Sequence, residues 1–290
     1  MCHFLLICTI FFGCNENKEK EISKEYLDAL NSWKSERYVE VTESWIPLAG
    51  LSWLDPGEST FGSDTSNRIV FPNAVPPYIG NFILVDETVV MTTFPEIKII
   101  NNDSIMSDHQ IVVDESKVFK IETIEWTIIK RAGQYAARIW DRSPVEIDSF
   151  KLEYFEPDPN WVIKSQFEVY PEGRTYPIAN VVGSVTNTPI PGKLSFKFEG
   201  ERYSLDVMEG DEDTWFVIFS DATNGKKTYG AGRYMYVNKN KNGEKVVIDF
   251  NRAYNPPCAF TEYATCPLPP VQNRLPFLVQ AGEKIRISDY

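Results

Sequence analysis

Ile121-Glu122-Thr123-Ile124-Glu125-Trp126-Thr127-Ile128-Ile129-Lys130-Arg131, the break Ala132-Gly133-Gln134, then Tyr135-Ala136-Ala137-Arg138-Ile139-Trp140 is the stretch that decides the fold. Two runs of β-branched and aromatic residues flank a short glycine-containing interruption, which is the signature of a β-hairpin. The same rhythm extends outward from Arg68 to Phe250, as in Ile69-Val70-Phe71, Phe82-Ile83-Leu84-Val85, Val89-Val90-Met91 and Ile97-Lys98-Ile99-Ile100. Trp215 to Tyr236 reads as a further hairpin, with Asn224-Gly225 as the positive-φ turn that tight hairpins prefer. A third connection, Asn238 to Gly243, links Tyr229–Val237 with Lys245–Asn251. Local pairing of this kind predicts a mainly β fold, an antiparallel barrel or sandwich, and opposes alternating βαβ units.

Upstream, Ile22, Tyr26, Leu27, Leu30 and Trp33 recur at near-helical spacing, so Glu21–Arg37 predicts an N-terminal amphipathic helix packed on the β body. The dense apolar run Trp45–Leu54 then feeds the turn Asp55-Pro56-Gly57. Glu156-Pro157-Asp158-Pro159-Asn160 interrupts the strand pattern and reads as a surface loop in preference to a boundary between subdomains. Residues 21–290 are therefore expected to form a single β domain.

The first residues carry a different message. Phe4 to Phe12 is apolar and uncharged but far shorter than the roughly 20 residues that a membrane-spanning helix needs. It reads as the core of a signal peptide over residues 1–13. Phe11-Phe12-Gly13-Cys14 followed by Asn15-Glu16-Asn17-Lys18-Glu19-Lys20-Glu21 resembles a bacterial lipoprotein signal, which implies lipidation at Cys14 and a solvated tether over residues 14–20. The chain is thus expected in the bacterial cell envelope, anchored to a membrane through Cys14. Met1-Cys2-His3 supplies no basic n-region, which leaves the true start of translation open.

Composition narrows the partners. The 290 residues carry a formal net charge of -12, which opposes the counterion displacement that nucleic-acid binding requires. No nucleic-acid partner is expected. High aromatic content, 13% with 7 Trp, suits a packed β fold and would equally suit a pocket that stacks flat ligands. After removal of a leader, His109 is the one histidine left, so a zinc site built on several imidazoles is not expected. No Gly-x-Ser-x-Gly elbow is present, and Gly230-Ala231-Gly232 lacks the third glycine and the helix of a dinucleotide loop. No cofactor or metal follows from the sequence.

The end of the chain holds the candidates for function. Asp249-Phe250-Asn251-Arg252-Ala253-Tyr254-Asn255-Pro256-Pro257-Cys258, Cys266-Pro267-Leu268-Pro269-Pro270, Asn273-Arg274-Leu275-Pro276 and Ala281-Gly282-Glu283-Lys284 combine rigid with polar residues. Prolines fix φ and remove donors, so this stretch runs as a constrained loop able to hold polar groups in fixed directions. The pair Cys258 and Cys266 reads first as a disulfide in an oxidising compartment, with buried free thiols or redox and metal chemistry as alternatives.

These residues, with Gly50-Leu51-Ser52-Trp53-Leu54, Phe61-Gly62, Arg138-Ile139-Trp140-Asp141 and Thr228-Tyr229-Gly230-Ala231-Gly232-Arg233, resemble the domain-of-unknown-function family DUF1684. The resemblance runs from about Trp33 to Lys284 and implies that these positions matter, while the family brings no settled activity with it. The expected site is a small polar pocket at the Pro-rich loop lined by Arg233, Asp249, Asn251, Arg252, Tyr254 and Asn255. Arg233 could reach Asp249 if their strand faces coincide, either as a buried ion pair that orders the loop or as part of a ligand site. Arg138 and Asp141, beside Arg142, form a secondary polar cluster. A small polar or anionic ligand is the leading expectation; a hydrolase using Asp or Glu as acid and base, or a structural or interaction lipoprotein, are the alternatives.

Overall fold

The computed structural model describes residues 21–101, 104–106, 110–131, 133–143, 150–240 and 245–285. The expected leader and tether, Cys14 and His109 lie outside the described residues.

Helix α1 (Lys24–Glu40) begins where the Ser23 hydroxyl accepts from the Tyr26 amide, closing one of the unpaired donors of a helix start. It passes directly into a wider π-helical turn, Val41–Trp45. Strand β1 (Leu48–Trp53) follows, then β2 (Gly57–Gly62), β3 (Ile69–Val70), β4 (Gly80–Val85), β5 (Thr88–Thr93), β6 (Ile100–Asn101), β7 (Ser104–Ile105), β8 (Gln110–Val113), β9 (Phe119–Ile121), β10 (Ile124–Arg131) and β11 (Gln134–Asp141). They form two sheets, ordered β1-β11-β10-β9-β6-β7 and β3-β2-β4-β5-β8. The deciding hairpin is β10 and β11, antiparallel in register from Ile124↔Asp141 to Arg131↔Gln134. Every second residue of β4 and β5 is buried, which is the two-residue period of a strand with one face on a core. That core is aromatic: Phe61 stacks on Phe82 with centroids 4.3 Å apart, and Trp126 on Phe119 at 5.8 Å.

The second half comprises β12 (Val162–Val169), the ribbon β13 (Thr175–Ala179) and β14 (Val185–Pro189), β15 (Gly192–Phe198), β16 (Glu201–Glu209), β17 (Thr214–Phe219), β18 (Arg233–Asn238) and β19 (Val246–Asp249). Six of these follow the order β18-β17-β16-β15-β12-β19 in an antiparallel sheet. Its outer strands, β18 and β19, approach one another without a ladder, so the sheet curls into a nearly closed barrel. Leu194, Leu205, Val217, Phe219, Met235, Ile248 and Phe250 fill the interior. Met208, Ile218 and Tyr234 point the other way, and the Pro-rich loop with Ala264 and Cys266 covers them. These strands are therefore apolar on both faces.

Two turn expectations are corrected. β17 and β18 do pair, from Thr214↔Asn238 to Phe219↔Arg233, but Asn224-Gly225 is not a two-residue turn between them. Residues 220–232 instead form a long loop held open by side chains. Asp221 Oδ1 accepts from the Thr223 amide at 2.8 Å, Asn224 Oδ1 accepts from the Asp221 amide at 2.6 Å, and Asn224 Nδ2 donates to Tyr229 O at 2.8 Å. Such local bonds compete directly with strand pairing. The ladder partner of β19 is β12, with Asp249 opposite Val162, so the route through Asn238–Gly243 does not make β18 and β19 a hairpin.

Cys258 and Cys266 are joined by a disulfide, with Cα atoms 6.1 Å apart. In the chain-entropy account, closing so short a loop contributes about 2.5 kcal/mol, an upper value because neighbouring prolines already restrict the unfolded chain. Cys258 and Cys266 should resist alkylation in folded protein without reductant, and the double Cys→Ser variant should lose up to that amount in denaturant unfolding. Full alkylation before reduction would contradict the bridge.

Candidate functional site

Along one face of α1 run Leu30 and Arg37, both buried, half-buried Trp33 between them and, one turn on, buried Val41, a spacing of three and four residues that keeps this face on the barrel. Arg37 is the exception in chemistry, being a guanidinium only 4% exposed. Its burial is tolerated because its donors find partners inside. Nη1 donates to Glu40 Oε2 at 2.7 Å, Nη2 donates to Asn255 O at 2.8 Å, and Nε faces Glu283 Oε2 at 3.5 Å. The flat guanidinium also lies over the Tyr254 ring, 4.5 Å from its centroid. Burial presses the Arg37 pKa down, but Glu283 and Glu40 outweigh it and hold the group above its ordinary value.

Glu283 is completely buried and is reached through Gly282, whose φ of 76° and close seat on Ala253 O leave no room for a Cβ. Asn255 Nδ2 donates to Glu283 Oε1 at 2.9 Å and to Lys284 O at 2.9 Å. Burial pushes the Glu283 carboxyl up to about 7 against the opposing pull of Arg37 and Asn255. Tyr154 pairs by its backbone with Glu283, and burial raises its phenol pKa. Among the described residues, Arg37 Nε, Glu283 Oε2 and Tyr154 OH make no hydrogen bond, so one small buried spot gathers polar atoms of both signs.

The expected site residues separate into distinct places. Tyr254 and Asn255 belong to the Arg37–Glu283 group. Arg233 is fully buried and does not reach Asp249; Nη2 donates to Asp221 Oδ2 at 2.7 Å and to Val279 O at 2.9 Å, and Nη1 donates to Ala281 O. Strand register is the reason, since Arg233 opposes Phe219 and Asp249 opposes Val162. Asp249, Asn251 and Arg252 gather at the start of α1. The Tyr26 hydroxyl donates to Asp249 at 3.0 Å, Asn251 Nδ2 donates to Tyr26 OH at 3.0 Å and to Asp158 O at 3.0 Å, and Arg252 faces Asp249 at 3.5 Å. Burial raises the Asp249 pKa, opposed by the Tyr26 hydroxyl. Arg138 and Asp141 lie far off on β11 and, three residues apart on a strand, face opposite ways. Asp141 accepts from Thr123 Oγ1 at 3.1 Å and the Ser143 amide at 2.9 Å, while burial and then Arg131 lower the Arg138 pKa.

An opening lies against this region on the helix side. A cleft of about 190 Å³ between α1 and β18 is lined by Trp33, Glu36, Arg37, Glu40, Tyr236 and Tyr254. Tyr236 is 55% exposed and runs nearly parallel to Tyr254, with centroids 6.4 Å apart. Of the sequence-expected set, only Tyr254 lines it. The helix contributors were legible as an apolar face only, although a charge at the end of that stripe, Arg37 four residues beyond Trp33, was the available sign. Among the described residues no group of three or more His, Cys, Asp and Glu could hold a metal ion.

Glu283 links pH to stability. Its carboxyl titrates near 7 folded and near 4.5 when unfolded, so between those values the folded chain holds more protons. Stability is then fully present below the lower value and falls as pH rises through the upper one, by on the order of 3 kcal/mol. Glu283→Gln keeps an acceptor for Asn255 and removes the titration. Its melting temperature should fall less than that of the unsubstituted protein from about pH 5 to about pH 8; equal slopes would exclude Glu283 as the titrating group.

No curated protein matches the chain. A solution NMR structure of an uncharacterized protein of Haloarcula marismortui is similar at 31% identity, covering 50% of this chain and 83% of that one, with a TM-score of 0.41. A family described as protein of unknown function (DUF1684) matches residues 149–284, the barrel and the loop that wraps it. Over residues 149–284 the chain is thus similar to the DUF1684 family.

Proposed function

We propose that this protein is an extracytoplasmic, lipid-anchored binding protein that seats a small hydroxylated or amine-bearing molecule in the cleft between α1 and β18. The observation that carries the reading is the state of Arg37. The guanidinium at the back of the cleft is already engaged by Glu40, the Asn255 carbonyl, Glu283 and the Tyr254 ring, so it has little left for an incoming anion. What the cleft offers instead is aromatic surface from Trp33, Tyr236 and Tyr254 beside the exposed carboxylates of Glu36 and Glu40. Aromatic faces with acceptors at the rim favour hydroxyl or ammonium groups over carboxylates.

The hydrolase reading has weaker support. Glu283 has the pKa of a useful general acid or base, yet its side chain is sealed from solvent and cannot meet a substrate proton. A purely structural role fits Arg233, Asp249, Asn251 and Asn255, whose side chains tie chain segments together. It does not account for Tyr236 standing half exposed at the wall of the cleft. The anchor rests on the Phe4–Cys14 pattern.

Polyols and primary amines should raise the melting temperature, and organic acids of equal size should not. Tyr236→Ala should abolish the shift while leaving the ligand-free melting temperature nearly unchanged. The opposite ranking, with acids binding and amines and polyols inert, would overturn the assignment. Separately, Cys14→Ser should abolish incorporation of labelled fatty acid in the expressing bacterium; label retained in that variant would remove the anchor.

A further inference from the structure

A second and larger cleft, about 1000 Å³, lies across β16, β15, β12 and the start of β19, remote from α1's aromatic face. Its lining includes Arg202, Lys197, Lys164 and Lys245. The ladders put these side chains in line. Arg202 is directly opposite Lys197 in the β15–β16 register. Ser165 is opposite Phe196, so one antiparallel step further Lys164 comes beside Lys197. Lys164 is opposite Val247 on β19, and Lys245, two residues before Val247, shares its face. The result is a row of cations crossing adjacent strands.

Such a row works against the fold that carries it. Like charges directly opposite on neighbouring strands are destabilising, and of the nearby acids Glu168 acts on Arg202 while pairing chiefly with Lys193. Among the described residues none of the four makes an ion pair, although the chain as a whole has 41 acidic residues against 29 basic ones. The acids in the same cleft are Asp158, Glu168 and Glu199. Asp158 accepts from the Asn160 amide at 2.8 Å and keeps its charge, and Glu168 pairs with Lys193 at 3.3 Å and is also drawn by Arg202, so Lys164 and Lys197 are the members left without a carboxylate partner among the described residues. Glu199 sits in the turn after β15 with a φ of 49°, at the margin of the row. An acidic protein could have relieved the strain by placing one carboxylate between these strands. It keeps the cations together in a concave surface instead.

We propose that this cleft binds a small oligoanion, a molecule with two or more carboxylate or phosphate groups spaced about 5 Å apart to match adjacent strands, across Arg202, Lys197 and Lys164. The guanidinium provides a forked donor for one anionic group, and the lysines serve the next as point charges. Trp161 and Phe198, which also line the cleft, stack with centroids 5.0 Å apart and give it a rigid apolar edge. The site is independent of the α1 cleft and would stand if that assignment fell.

The test is calorimetric titration of the full chain with inorganic tripolyphosphate and, separately, with propane-1,2,3-tricarboxylate. At least one should bind, with affinity falling several-fold as salt screens the cations. The Lys164→Gln/Lys197→Gln variant should bind at least about tenfold more weakly, yet melt about 1–2 °C higher than the unsubstituted protein in low salt without anion, because the repulsion is gone. Lys98→Gln, an exposed lysine of the other half, and Tyr236→Ala should leave titration unchanged. Binding of tripolyphosphate alone would mark a phosphate site, and of the tricarboxylate alone a carboxylate site; either supports the assignment. Binding of neither probe, or equal binding by the double variant, would overturn it.

Discussion

The interaction on which the arrangement depends is the clasp of Arg37 with Glu283 and Asn255. Three segments distant in sequence, the helix, the turn after Phe250 and the last described strand-like residues, meet at one guanidinium. A charge buried this deeply is expensive unless every partner is in place, and removal of one partner from a buried pair typically costs about 3–5 kcal/mol. The clasp therefore makes docking of α1 conditional on the path of the C-terminal segment. The cleft between α1 and β18 exists only when the helix is seated.

The same logic explains why the C-terminal half is rich in buried Arg and Asn. A segment studded with prolines cannot pair as a strand, and its carbonyls still need donors. Arg233 supplies the carbonyls of Val279 and Ala281. Asn273 Nδ2 donates to Asp206 O and Ile218 O, both at 2.8 Å, and Asn255 serves Lys284 O. Side-chain amides and guanidinium groups thus replace a missing ladder and fasten the loop to the barrel wall. The disulfide acts on the same segment from the other side, beneath Tyr234, whose hydroxyl donates to Pro267 O at 2.7 Å.

This division accounts for what could be read in advance. Strand class, the β10–β11 hairpin and the N-terminal helix follow from local periodicity and pairing, the Cys258–Cys266 bridge is the first of three readings of two nearby cysteines, and the chain shows each of these features. The partners of Arg233 and Asp249 were not legible. They depend on ladder register between strands brought together by long connections, and a shift of one residue reverses a side chain's face. Asn224-Gly225 misled for a related reason: a favourable turn pair was overruled by the Asp221 and Asn224 side chains. Glu283 gave little signal because nothing local distinguishes a sealed carboxylate from a solvated one.

Electrostatics then separates the two clefts. At α1 the guanidinium is turned to Glu40, the Asn255 carbonyl and Glu283, so the surface presented outward is aromatic and acidic. Across β16, β15 and β12 Glu168 pairs with Lys193 and draws on Arg202, and Lys164 and Lys197 stay without an ion-pair partner among the described residues. In an acidic chain, random placement would tend to surround each surface cation with carboxylates, so one matched cation and one unmatched row are not equivalent outcomes. The matched one is held by geometry and adds rigidity. The unmatched row retains its electrostatic potential, and potential that folding leaves uncancelled remains free to act on something outside the chain.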